Sequence, residues 1–84
     1  MTREEVEKKV KEITARVLKC DAAKLESKSR FAQDLGAESI QSIELVAAFE
    51  DGFDIEMDED EALAVTAVGP AVDYIFKVVQ QQHG

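Results

Sequence analysis

Apolar residues recur along this chain with the period of helices, and no segment alternates convincingly with the period of strands. Val6, Val10, Ile13 and Val17 follow one another at spacings of four, three and four, which is one stripe of an amphipathic helix. Thr2 with Glu5 reads as a capping box, so the pattern predicts a first helix over 3–19. Charges fill its other face, with Glu4–Lys8 and Glu5–Lys9 as favourable pairs one turn apart.

Residues 21–33 show no sustained periodicity and read as a long connection anchored by Leu25 and Phe31; a loop of that length is often functional. A second helix is predicted over 39–51, with Ile43, Val46, Ala47, Phe49 and Phe53 on its inner side and Gly52 as its stop. Glu44 and Asp51 belong to the opposite side, with Gln41 and Ala48 between them. Asp58-Glu59-Asp60-Glu61 favours the start of a short third helix over 58–64, because acids suit a helix N-terminus. Ala62, Leu63 and Val65 supply its apolar part. Gly69-Pro70 opens a last helix over 69–80 with the stripe Val68, Val72, Ile75 and Val79, and residues 80–84 are expected to fray. The expectation is one all-α domain over 1–84, a four-helix bundle with three main helices and one short one, up-down with a long first loop.

Size and charge narrow the function. Eighty-four residues give a small core and modest stability. The net charge is −8, and it is segregated: nine of the ten basic residues lie in the first thirty positions, while residues 31–76 hold twelve acids and no Lys or Arg. Such a field repels nucleic acid and anionic lipid and attracts basic protein surfaces. Cys20 is alone, which excludes an intramolecular bridge and fits a reducing compartment. The N-terminal stretch is charged and no long apolar run occurs, so neither a leader nor membrane insertion is expected. A cytoplasmic monomer is expected.

The chemistry concentrates in Asp34-Leu35-Gly36-Ala37-Glu38-Ser39-Ile40, where a loop turns into the second helix. A serine hydroxyl is a poor nucleophile without a base. His83 is the only histidine and stands in the stretch expected to fray, so Ser39 reads as the substrate of another enzyme rather than as a catalyst. Asp34 is placed to cap a local turn, and Gly36 suits a backbone with positive φ or no room for a side chain. Asp51, Asp54, Asp58 and Asp60 lack the spacing of a calcium loop, and Cys20 with His83 is too small a set for zinc, so no dedicated metal site is expected.

The run around Ser39, together with Glu44-Leu45-Val46, Phe53-Asp54-Ile55-Glu56 and Val72-Asp73-Tyr74-Ile75, resembles the acyl carrier proteins over nearly the whole chain. The resemblance implies that Ser39 carries 4′-phosphopantetheine, transferred from coenzyme A by a phosphopantetheinyl transferase, with Asp34, Gly36, Glu38 and Ile40 shaping the attachment site. It implies acyl groups held as thioesters on that arm, no catalytic activity in the chain itself, and delivery to acyl-transfer and condensing enzymes of fatty-acid, polyketide or lipid-modifying routes. Glu38, Glu44, Glu50, Asp51, Glu56, Asp60 and Glu61 would meet basic patches on those partners. Phe31, Val46, Phe49, Met57, Ala62 and Val65 would line the acyl-chain pocket, with Phe49 shortening it and the adaptable Met57 offsetting that. The family usually has Asp before the serine and Leu after it; here Glu38 and Ile40 keep the charge and the apolar character but change the shape that a partner reads. Aminoacyl or peptidyl carriers, and an unmodified interaction module, are the alternatives.

Overall fold

The predicted capping box forms. In a computed structural model describing residues 1–83, Thr2 Oγ1 accepts from the Glu5 amide at 3.2 Å and a Glu5 carboxylate oxygen accepts from the Thr2 amide at 2.9 Å. Helix α1 (Arg3–Leu18) follows and closes on Lys19, which takes the left-handed conformation at φ 56°. Val6, Val10 and Ile13 are buried, and Val17 packs against them from the edge of the core. Thr14 is also fully buried, and its Oγ1 has no hydrogen-bond partner. An unsatisfied hydroxyl of that kind costs on the order of 1–3 kcal/mol.

The long connection after α1 is ordered by its own backbone. It holds one 3-10 turn (Ala22–Lys24), opened by an Asp21 carboxylate that accepts from the Ala23 amide at 2.9 Å. Further on it pairs with the segment before the last helix. The Gly69 amide donates to Ser27 O at 2.8 Å, Val68 to Ser29 O at 2.9 Å, and Phe31 to Thr66 O at 2.9 Å. An isolated antiparallel bridge joins Arg30 and Ala67. These pairings hold the connection in place beside the buried Leu25 and Phe31.

Helix α2 (Ser39–Phe53) runs two residues past the predicted end. Gly52 does not stop it. The stop is Asp54, left-handed at φ 53°. Gly52 sits where α2 crosses α1, and a Cβ there would stand 2.6 Å from Ile13 Cδ1. The helix is also rotated from its predicted setting. Leu45, Phe49 and Phe53 are the buried residues, spaced by four, while Ile43 and Ala47 face outward. Gln41 and Ala48, expected on the open side, are half-buried. Three large apolar side chains one turn apart bury more surface than the smaller stripe, so they decide which face turns in.

Helix α3 (Glu59–Ala64) is capped by Asp58, whose carboxylate accepts from the Glu61 amide at 3.0 Å, and none of its residues is buried. Helix α4 (Val68–His83) starts one residue early and does not fray at Gln80. Its last turn makes tertiary hydrogen bonds, described below, that the helical pattern could not reveal; Gly84 lies outside the described residues. The buried residues Val68, Val72, Ile75 and Val79 match the predicted stripe, with Ala71 and Val78 added. Both α2 and α4 pack on α1, α3 packs on α2, and α2 and α4 barely touch. The described residues are therefore all-helical, four helices with no strand, and the gap between α2 and α4 is what makes the site.

Candidate functional site

Ser39 is the first residue of α2 and is exposed. The turn before it is built by Asp34. One carboxylate oxygen accepts from the Arg30 amide at 2.8 Å and meets Arg30 Nε at 3.4 Å, while the Asp34 amide donates to Arg30 O at 2.9 Å. The hydrogen bond from the Arg30 backbone, with the Arg30 side chain adding to it, holds the Asp34 carboxyl below its ordinary range. The Ala37 amide donates to Phe31 O at 2.8 Å and closes the turn. Gly36 is at φ 72°, with open space where a Cβ would lie, so conformation and not crowding selects glycine there. Glu38 precedes the helix, its amide donating to Gln41 Oε1 at 2.9 Å. Gln41 is thus a cap, a role that charge pattern alone did not show.

The amides at the head of α2 have no intrahelical acceptor, and the helix dipole is positive there. Ile40 is 63 % exposed and Ile43 51 % exposed, and with Ala47 they form an open apolar strip on α2. Glu44 and Asp51 are exposed on the same helix. Among the other acids named from the sequence, Glu38, Glu56 and Asp60 are exposed. Glu61 is exposed too and Glu50 is half-buried, and each makes a hydrogen bond within the chain. A Glu50 carboxylate oxygen accepts from the Met57 amide at 2.9 Å, and Tyr74 Oη donates to a Glu61 carboxylate at 3.3 Å.

Between α2, α3 and α4 lies a cavity of about 160 Å³. Phe31, Val46, Phe49, Met57, Ala62 and Val65 all line it. Leu45, Leu63, Ala71, Tyr74 and Ile75 line it as well, with the polar Gln33, Ser42 and Thr66. Leu45 was recoverable from its spacing of four to Phe49; the α4 residues were not, because their stripe reads only as core. Burial pushes the Tyr74 phenol above its ordinary value of about 10, and the hydrogen bond to Glu61 and its negative charge add to the rise.

A helical bundle with an accessible serine at the head of one helix, and an apolar cavity beside that helix, has the layout a carrier domain needs. Comparison with known protein families gives the same class: the family described as "Phosphopantetheine attachment site" matches residues 8–75, and the chain belongs to it. Members of that family are the sites of covalent 4′-phosphopantetheine attachment. Carrier domains of this kind are modified by a phosphopantetheinyl transferase, work with partner enzymes, and are generally not catalytic themselves. Among the described residues no helix is long and apolar enough to cross a membrane.

Proposed function

We propose that Ser39 is the attachment residue and that the domain carries acyl groups to acyl-transfer and condensing enzymes of fatty-acid, polyketide or lipid-modifying routes. The observation that carries this reading is the joint placement of an exposed Ser39 at the head of α2 and a largely apolar cavity alongside the same helix. The bound arm supplies a terminal thiol on which acyl groups ride as thioesters. The chain's own residues supply the rest. Asp34 and Gly36 fix the turn that presents Ser39, and the first-turn amides of α2 favour the phosphodiester charge. The cavity walls shelter an apolar chain from water.

Docking falls to the open face of α2. Ile40, Ile43 and Ala47 offer apolar area, and Glu38, Glu44 and Asp51 are exposed acids for basic partner surfaces. Glu56 and Asp60 extend the acidic field toward α3. Glu61 is exposed and adds to that field, while Glu50 is half-buried and holds the Met57 amide with one carboxylate oxygen. An unpaired Cys20 and an all-helical acidic domain suit a reducing cytoplasm.

Intact mass after incubation with coenzyme A and a broad-range phosphopantetheinyl transferase tests the reading. The native chain gains one phosphopantetheine and Ser39→Ala gains none. A native chain left unmodified by several transferases would overturn it in favour of an unmodified interaction module. Addition that persists in Ser39→Ala would move the attachment elsewhere.

A further inference from the structure

The connection between α2 and α3, residues 54–58, is strapped from two sides. Gln82, in the last turn of α4, makes a paired contact with one peptide position. Its Nε2–H donates to Glu56 O at 2.8 Å, and its Oε1 accepts from the Glu56 amide at 2.9 Å. The complementary pair fixes the orientation of the amide, because a flipped group would oppose donor to donor. His83 Nε2 reaches the Asp54 carbonyl at 2.5 Å and, as the hydrogen-bearing nitrogen, donates to it. From the other side, Glu50 accepts from the Met57 amide at 2.9 Å.

Met57, next in the chain after Glu56, is one wall of the cavity. Helix α3 begins two residues later and buries no residue of its own, so the segments that flank it set its position. On its far side the backbone pairs Phe31–Thr66 and Val68–Ser29 do this. On its near side the work falls to Gln82, His83 and Glu50. The inner face of α4 is locked into the core through Ile75, Val78 and Val79, so Gln82 projects from a fixed support.

We propose that Gln82 and His83 are positioning residues for the cargo cavity. By fixing the backbone at 54–56 they set where Met57 and α3 stand, and thereby limit the length of apolar chain the cavity admits. The proposal rests on the carrier reading and extends it to cargo size. The cavity is small, about 160 Å³, so its walls bound the apolar chain it takes in. A chain longer than the space between these walls must displace one of them, and Met57 is the wall that the strap holds.

Two measurements on Gln82→Ala and on the Gln82→Ala/His83→Ala pair test this. The first needs no cargo. Amide exchange in the unmodified chain is expected to quicken at least tenfold at Glu56 and Met57, with Val10 and Val72 unchanged; equal exchange at Glu56 and Met57 would overturn the strap. The second uses chains loaded at Ser39 with butyryl, hexanoyl, octanoyl or decanoyl groups. In the native chain the rise in melting temperature with chain length levels off within this series, and in the variants the plateau moves to a longer chain. A variant that lowers every form by the same amount, with the plateau unmoved, reduces Gln82 to a purely structural residue and overturns the proposal. Failure of the carrier reading has a separate signature, no loading at Ser39, and the exchange measurement still decides the strap.

Discussion

Tyr74 is the only tyrosine of the chain, and there is no tryptophan, so its phenol can be titrated by absorbance without interference. Its folded-state value is raised above about 10, first by burial and then by Glu61. The protonated form is therefore the one the fold favours. The stability it contributes is complete below pH 10 and is lost as pH rises through the folded value. The expected result is an absorbance midpoint above 10 in the native protein that returns to about 10 in urea. Glu61→Ala, which removes both the acceptor and the charge, should lower the native midpoint part of the way, leaving the share due to burial; an unmoved midpoint would show that Glu61 contributes nothing to the rise. The residues around Ser39 carry the same lesson in a plainer form. Asp34 as a turn cap and Gly36 at positive φ follow from short-range backbone chemistry, and both were readable from their neighbours. The engagements of Glu61 with Tyr74 and of Glu50 with Met57 were not, because an acid in a sequence gives no sign of which way it turns.

At the scale of elements, the crossing of α1 and α2 is the contact most sensitive to a single methyl group. Alanine at Gly52 would gain about 1 kcal/mol of helix propensity. Its Cβ, however, would stand 2.6 Å from Ile13 Cδ1, and overpacking of a core costs roughly 1–3 kcal/mol. Gly52→Ala is expected to lower stability by about 1 kcal/mol once both effects are combined. Ile13→Val removes the opposing methyl and costs about 1 kcal/mol alone. The double variant should recover to near the native value, and urea unfolding midpoints of all four proteins measure the coupling. Strict additivity would place the close approach elsewhere. The same crossing explains why Gly52 was misread. A glycine near the end of an acidic, amphipathic stretch has the sequence signature of a helix stop, yet here its missing Cβ serves a neighbouring helix and the stop falls two residues later at Asp54.

Across the whole molecule, basic charge is sorted by position in the chain: nine of the ten basic residues lie in α1 and the first connection, while residues 31–76 hold twelve acids and no Lys or Arg. Of the basic side chains, Arg3 pairs with Asp73, Lys28 with Glu26 and Arg30 with Asp34 among the described residues, so the α2 surface keeps its negative field. A basic transferase should feel that field during approach. Glu44→Lys, on an exposed position of α2, is expected to slow modification of Ser39 by roughly tenfold at low ionic strength, with the gap closing toward 0.5 M salt by roughly the factor that screening predicts. Rates equal to the native protein at every ionic strength would show that the α2 field does not steer the encounter.

By itself the sequence determined the helical class, the order and approximate span of the four helices, the turn chemistry of Asp34 and Gly36, and the candidacy of Ser39. Each of these rests on interactions within a few residues, which spacing and residue type encode directly. Only the tertiary structure decided the rest. It turned Leu45 inward and Ile40 and Ile43 outward, because the bulk of Phe49 and Phe53 had to meet α1. It paired residues 27–31 with 66–69 and opened the cavity where α2 and α4 stand apart. It also carried Gln82 and His83 back to Glu56 and Asp54, more than twenty residues away in the chain. Such contacts are set by which faces can be buried together, and no local pattern records that choice.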